Sequence, residues 1–320
     1  MSQRAFGIDI GGTNIKMGLV DDSGRILAQS AIPTPLDRSP EAGVAVIAQT
    51  AQTTINEITS DRSELRIGVG CPGLIGTKDG IVHRSPNLPN HVETPLADQL
   101  SSLMKLPVRL LNDANACALA ETHLGAGRGK SPVVVLTIGT GVGGAVIVDG
   151  HLQNGFGGFS GEIGHMTIDH DGELCPCGNR GCLELFVGKK PIVNRYLSHG
   201  PWNAESIAFT QVAGDQEKLS PEIIARAARS GEQRAIDTFE QVGRKLGAGL
   251  VSLTNIFDPE IFIIGGGIAE AGELLFAPAR NLLAQQSIAR GISAVSIAKA
   301  QLGPEAGFIG AAFFAMDGAI

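Results

Sequence analysis

Three cysteines and a histidine near the middle of the chain have the types and spacing of a metal site. His165 is followed by Cys175-Pro176-Cys177-Gly178-Asn179-Arg180-Gly181-Cys182. Three thiolates and one imidazole satisfy the tetrahedral demand of a structural Zn²⁺. Gly178 and Gly181 allow so short a loop to turn back around an ion. Spacing leaves the imidazole open, because His170 lies nearer to Cys175 than His165 does. The alternative is three free thiols in a turn. A closed four-ligand site has no position for water, so such an ion stabilises and does not catalyse. It would also fix its neighbours: Glu162 stands three residues before His165, and Glu184 two after Cys182. Pointing into a crevice, these carboxylates become acceptors for several substrate hydroxyls.

Glycine loops suggest phosphate. Phe6–Asp21 reads as strand, glycine turn, strand, and Val134–Asp149 aligns with it without gaps. The turns are Ile10-Gly11-Gly12-Thr13 and Ile138-Gly139-Thr140-Gly141. Successive N–H groups in tight turns form anion-binding nests, and absent side chains admit the phosphate. Thr13 adds a hydroxyl, Lys16 a cation, and Asp9 a carboxylate able to orient hydrated Mg²⁺. Two such hairpins from two related domains could clamp a triphosphate. Ile263-Ile264-Gly265-Gly266-Gly267 follows a strand and precedes a helix-like Glu270–Ala279, a platform for a nucleoside. Gly139, Gly141 and Gly144 also fit G-x-G-x-x-G, but that dinucleotide turn must open a helix. Here an apolar run closed by Asp149-Gly150 follows, which is a hairpin signal, so the nicotinamide reading is rejected.

Asn112-Asp113 ends a strand just before a helix. Ligand crevices of open α/β sheets lie at the carboxyl ends of strands. An Asp there could take the proton of a substrate hydroxyl as its oxygen attacks phosphorus. Alone, such a residue is usually a helix N-cap; beside phosphate loops, catalysis leads.

The elements that must position these residues alternate along the chain, which indicates α/β. Strands are expected at Ala5–Ile10, Lys16–Val20, Ile26–Ser30, Leu65–Cys71, Val108–Leu111, Val133–Ile138, Ala145–Val148, Ile261–Ile264 and Val295–Ala298. Helices are expected at Glu41–Thr59, Ala114–Leu124, Pro221–Ser230, Glu232–Asn255 and Glu305–Met316. At roughly 150 residues per domain, 320 residues suggest two domains, and 43% hydrophobic residues supply a core. A net charge of -7 without a Lys/Arg run argues against nucleic acid. No apolar stretch approaches the roughly 20 residues of a membrane span. The start of the chain carries no export signal, so the expectation is cytoplasmic, and five cysteines there favour metal over disulfides. Cys71 and Cys117 read as small buried hydrophobes; Tyr196 and Trp202 receive no role.

Assembled, these motifs closely resemble the ROK family of sugar kinases, within the actin-like (ribonuclease H-like) two-domain fold, from end to end. Asp9–Lys16 looks like the family's first phosphate motif and Gly139–Gly144 like its second. Glu162-Ile163-Gly164-His165 with Cys175-x-Cys177-Gly178-x-x-Gly181-Cys182-x-Glu184 looks like its sugar and zinc motif, which favours His165 over His170. The resemblance implies Asp113 as catalytic base, with Asn112, Glu162, His165 and Glu184 holding a sugar. Gly73 and Asn87 match further sugar positions. Ala306–Ala312 looks like the helix that returns to the first domain, implying a small domain of 1–112 plus 303–320 and a larger one of 113–302. The implied reaction is ATP- and Mg²⁺-dependent phosphorylation of a hexose 6-hydroxyl, glucose first and an N-acetylhexosamine second. ATP is favoured over polyphosphate on the Gly265–Gly267 run. A homodimer or homotetramer is implied. The family also holds sugar-responsive repressors with a helix-turn-helix before the first motif; Asp9 stands too early for one, which favours the kinase.

Overall fold

Alternating apolar runs and helical stretches become mixed sheets flanked by helices in the computed structural model, which describes residues 3–35, 39–85, 88, 90–289 and 295–317. The order begins β1 (Arg4–Ile10), β2 (Asn14–Asp21), β3 (Ile26–Pro33), α1 (Pro40–Asn56), β4 (Arg66–Cys71), β5 (Leu74–Gly76), β6 (Ile81–Arg84), α2 (Leu96–Met104), β7 (Val108–Asn112) and α3 (Asp113–His123). It continues with β8 (Val133–Ile138), β9 (Val142–Val148), β10 (His151–Leu152), α4 (Glu184–Val187), α5 (Lys189–Ser198) and α6 (Ile207–Gln211). Then follow α7 (Pro221–Arg229), α8 (Gln233–Phe257), β11 (Ile261–Gly265), α9 (Glu273–Gln286), β12 (Ser296–Lys299) and α10 (Ala306–Met316).

Every expected strand is present, with small shifts at the ends. The first sheet has the order β3-β2-β1-β4-β7, with β1 antiparallel to β2 and parallel to β4. The second has the order β10-β9-β8-β11-β12, with β11 parallel to both β8 and β12. The repeated order is the structural counterpart of the sequence echo. The helix expected over Glu270–Ala279 is different: a 3-10 turn covers Gly267–Ala271, Gly272 breaks it at φ 61°, and α9 starts at Glu273.

Packing divides the chain into two units. The first comprises Met1–Gly129, Ala145–Gly161 and Gln301–Ile320; the second comprises Lys130–Gly144 and Glu162–Ala300. These limits differ from the expected 112/113 and 302/303, because α3 stays with the first unit. The reason is α10, whose residues Ala306–Ala312 are all buried. It lies so close to α3 that a Cβ on Gly310 would fall 1.7 Å from the Ala116 carbonyl oxygen. A helix apolar nearly all round must be covered on several sides, and burying Phe308 alone contributes about 2 kcal/mol.

Within the first unit, Ser39 caps α1 by accepting from the Ala42 N–H at 3.3 Å, with Pro40 at the first helical position. In the second unit, Tyr196 is fully buried and its hydroxyl meets the Ser206 hydroxyl at 2.7 Å and Arg234 Nη2 at 2.7 Å. The Trp202 indole donates to the Gly214 carbonyl at 3.1 Å. Both aromatics fasten the helices of that unit together. None of the helices is long and apolar enough to cross a membrane among the described residues.

Candidate active site and metal centre

In the first unit, β1, β4 and β7 run parallel, and Asp9 pairs with Gly70 while Cys71 pairs with Asn112. Their carboxyl ends therefore bring Asp9, Asn112 and Asp113 to one edge, where α/β sheets collect ligands. Asn112 is the N-cap of α3: its Oδ1 accepts from the Ala114 N–H at 2.8 Å and the Asn115 N–H at 3.4 Å. Its Nδ2 donates to the Gly73 carbonyl at 3.1 Å, which joins Gly73 to this group. The capping role thus falls chiefly to Asn112. Asp113 is the first helical residue and accepts from the Ala114 N–H at 2.9 Å. Burial pushes its carboxyl above the usual range, partly opposed by that amide.

Asp9 is pushed up to about 7, first by burial and then by the Asp113 charge, with Lys16 pulling the other way. Two carboxylates this close and this desolvated gain from a divalent cation, so the donor set fits hydrated Mg²⁺. Lys16 Nζ donates to the Pro304 carbonyl at 3.2 Å. The first glycine turn is closed by the Gly11 N–H to Asn14 carbonyl bond at 3.1 Å, leaving Gly12 and Thr13 exposed at its tip. The Thr34 hydroxyl braces it by donating to the Gly11 carbonyl at 2.6 Å. Cys117 lies one turn after Asp113 on α3, and Cys71 ends β4 beside Asn112. Burial, with the charges of Asp113 and Asp9, raises both thiols far out of the nucleophilic range.

In the second unit, Thr137 of β8 pairs with Gly265 of β11, so the Gly139–Gly141 and Gly265–Gly267 turns leave the same sheet edge. Gly266 has φ 82°, and a Cβ there would stand 2.3 Å from the Ile138 carbonyl oxygen, so only glycine fits. Pro221, Ala225, Arg229, Gly267, Ile268 and Glu270 line a cavity beside that turn. The second glycine turn is held by Glu184, whose Oε2 accepts from the Val142 N–H at 2.8 Å. Its Gly139 carbonyl also accepts from the Lys189 N–H at 3.0 Å. Nothing in the spacing of Glu184 announced that it would be tied to the hairpin some forty residues earlier.

The ligand atoms of His165, Cys175, Cys177 and Cys182 all lie within 4.8 Å of one another. Cys175 Sγ stands 3.8 Å from His165 Nδ1, and Cys177 Sγ stands 3.7 Å from Cys182 Sγ. Sulfurs about 2.3 Å from a tetrahedral centre are about 3.8 Å apart, whereas a disulfide requires about 2.05 Å. The donors therefore fit Zn²⁺ and not a bridge. His170 is outside the cluster, exposed, with Nδ1 3.0 Å from Asp171 Oδ1, so the geometry groups His165, and not His170, with the three cysteines. Bridges Thr167 to Cys182 and Leu174 to Arg180 fold the loop. Asn179 Nδ2 donates to Thr167 Oγ1 at 2.9 Å. Glu162 is exposed just ahead of the Ile163–His165 turn, and Glu184 opens α4 directly after the metal loop. Asn87 lies outside the described residues.

The sequence from 5 to 317 matches the ROK family. The chain belongs to the ROK family. It is 37% identical over 309 residues to a glucokinase of Thermotoga maritima, covering 97% of this chain and 96% of that protein. A glucokinase of Streptomyces coelicolor is 34% identical over 315 residues, covering 98% and 97%. A crystal structure of a ROK family glucokinase from Streptomyces griseus with glucose and AMPPNP aligns with a TM-score of 0.82 at 34% identity, covering 98% of this chain and 100% of that one. The fold is the actin-like fold of the ROK sugar kinases.

Proposed function

We propose that this ROK protein transfers the γ-phosphoryl group of ATP to the 6-hydroxyl of glucose, with Asp113 as general base. The observation that carries the reading is the match to glucokinases over nearly the whole chain. Asp113, half-buried at the head of α3 beside Asp9, supports the assignment of the base.

The accounting is that of an in-line displacement. The sugar oxygen forms a bond to phosphorus as the bond from the γ-phosphorus to the bridging oxygen breaks, and ADP departs with that electron pair. The hydroxyl proton passes to Asp113. Its raised proton affinity makes it a stronger base than an exposed aspartate, and burial holds it in one geometry. Lys16 and the N–H groups of the Gly11–Thr13 and Gly139–Gly141 turns carry negative charge on the phosphates. Asp9 would hold Mg²⁺ through water, and the ion would neutralise charge on the transferring group. On the sugar side the reading assigns Asn112, Glu162, His165 and Glu184, with Gly73 and Asn87. His165 would give Nδ1 to Zn²⁺ and keep Nε2–H to donate to a sugar hydroxyl. A Zn²⁺ held there would be structural, with no open position for water, and Gly265 and Gly266 would support the nucleoside.

ADP release from purified protein with Mg·ATP and a panel of hexoses and N-acetylhexosamines tests the reading. Selective turnover of glucose is expected. Selective turnover of an acetylated sugar would move the substrate and keep the chemistry, while no ADP from any sugar would overturn the kinase reading in favour of a regulator. Asp113→Asn should reduce kcat by about 10²- to 10⁴-fold with glucose binding retained. In the parent protein the acid limb of the pH–rate profile should lie above the usual aspartate range, as the raised Asp113 carboxyl requires.

A further inference from the structure

We propose that Glu121 is a positioning residue for phosphoryl transfer, whose buried carboxylate ties two chain segments to the helix that carries Asp113. These are the segments by which the polypeptide first leaves, and finally re-enters, the first unit. The inference deepens the reading of Asp113 as base and rests on it.

Glu121 is 2% exposed and lies on α3 eight residues after Asp113, about 12 Å along the axis. Its Oε1 accepts from the N–H groups of Gln301 and Leu302, both at 2.7 Å. Its Oε2 accepts from the Ala126 N–H at 3.1 Å. Ala126 stands just before the chain first leaves the first unit after Gly129, and Gln301 is the residue at which it finally returns. One side chain therefore fastens the roots of the first and the last crossing. Among the described residues its carboxylate forms no ion pair, and its partners are these backbone donors.

Glu121 sits in the last turns of α3, the end at which the helix dipole disfavours an anion. A buried carboxylate there is costly unless it is hydrogen-bonded, and the bonds come from the 126 and 301–302 amides, outside its own helix. The returning segment is also met by the proposed phosphate machinery. Lys16 Nζ bonds to the Pro304 carbonyl at 3.2 Å, and a Cβ on Gly307 would fall 2.3 Å from Asp9 Oδ2. Residues 301–307 thus run past Glu121, Lys16 and Asp9 in turn. Any displacement of this segment reaches the base through α3 and reaches the phosphate groups directly.

The test uses the full chain carrying Glu121→Gln, assayed well below its melting temperature. The amide group cannot accept from Ala126 and from the 301–302 pair at once, because one of its two polar atoms is a donor. Expected are a kcat reduced by about ten- to a hundredfold, an unchanged glucose Kd by calorimetry, and an unchanged acid limb of the pH profile. Amide hydrogen exchange should accelerate at Ala126, Gln301 and Leu302. Turnover equal to the parent, or a kcat loss matched by lost glucose binding, would overturn the proposal, as would full protection at those three amides. If Glu121→Gln does not fold, Glu121→Asp retracts the carboxylate by one methylene and is read by the same criteria. Asp113→Asn is measured in parallel. Retained turnover in that variant defeats the base reading and the positioning role together. Its expected loss beside an unaffected Glu121→Gln defeats only the inference.

Discussion

The two glycine hairpins share a backbone and differ in charge. Aligned residue by residue, Asp9 of the first corresponds to Thr137 of the second, and Lys16 corresponds to Gly144. The first hairpin carries its own carboxylate and its own cation on its strands, and both are bound up with the returning chain near Pro304 and Gly307. The second has neither. Its carboxylate arrives from Glu184, at the end of the metal loop, and closes on the Val142 N–H. The comparison teaches that a repeated turn supplies amide donors, whereas the chemical difference between the two halves lies in which side chains reach each turn. A charge on the strand is buried with the sheet and shifts its proton affinity, as Asp9 does. For Glu184, half-buried at the start of its own helix, the interaction that stands out is a directional hydrogen bond.

Removing the charge from the first hairpin should break the comparison most severely. Asp9→Asn is expected to lower turnover by about 10²-fold or more and to weaken the Mg²⁺ dependence measured in the ADP-release assay. The same variant has an opposite effect on the ligand-free protein. The Asp9 carboxyl moves from 3.8 to about 7 on folding, so across that window the folded chain binds more protons than the unfolded one. Stability from this group therefore falls as pH rises from about 4 to 7. Melting curves of Asp9→Asn should show a flatter pH dependence and a higher Tm at pH 7. A parent-like slope would remove the buried-carboxylate account. Asp113 contributes with the same sign.

A smaller effect is expected from the loop that delivers Glu184 to the second hairpin. Cys177→Ala should abolish bound zinc, read by metal analysis, and raise the glucose KM by about tenfold, leaving ATP affinity less affected. Equal loss on both substrates would mean that the metal holds the whole unit and not the arm bearing His165 and Glu184. The mildest change sharpens the contrast. A Cβ at Gly141 would lie 2.5 Å from Glu184 Oε2, so Gly141→Ala should push the carboxylate off the Val142 N–H. A severalfold rise in KM with nearly intact Tm is expected for that variant, because the displaced atoms are the end of a flexible side chain. No change in either KM would show that the Glu184 bond is incidental.

Much of the fold was legible because its signals are local. Strand periodicity and the paired glycine turns each depend on a few neighbouring residues. The elements missed in the sequence have weak local marks. The β5 and β6 strands are three and four residues long. Helix α2 starts after Pro95 without a side-chain cap and ends at Lys105 in the left-handed region at φ 56°. Of the candidate site, Asp9, Asp113 and the three cysteines stood out by residue type and spacing, while the imidazole was left open until the family resemblance favoured His165.

What the sequence determined by itself is therefore the inventory: two phosphate-type turns, a carboxylate at a strand end, a four-ligand metal set and the α/β order that presents them. Tertiary structure decided three further things. It assigned capping to Asn112 and coupled the Asp9 carboxyl to the charge of Asp113, it bound Glu184 to Val142, and it gathered Ala126, Gln301 and Leu302 around Glu121. These depend on residues far apart in the chain meeting at chosen distances. Burial and charge coupling exist only after that meeting, so no reading of neighbouring residues contains them.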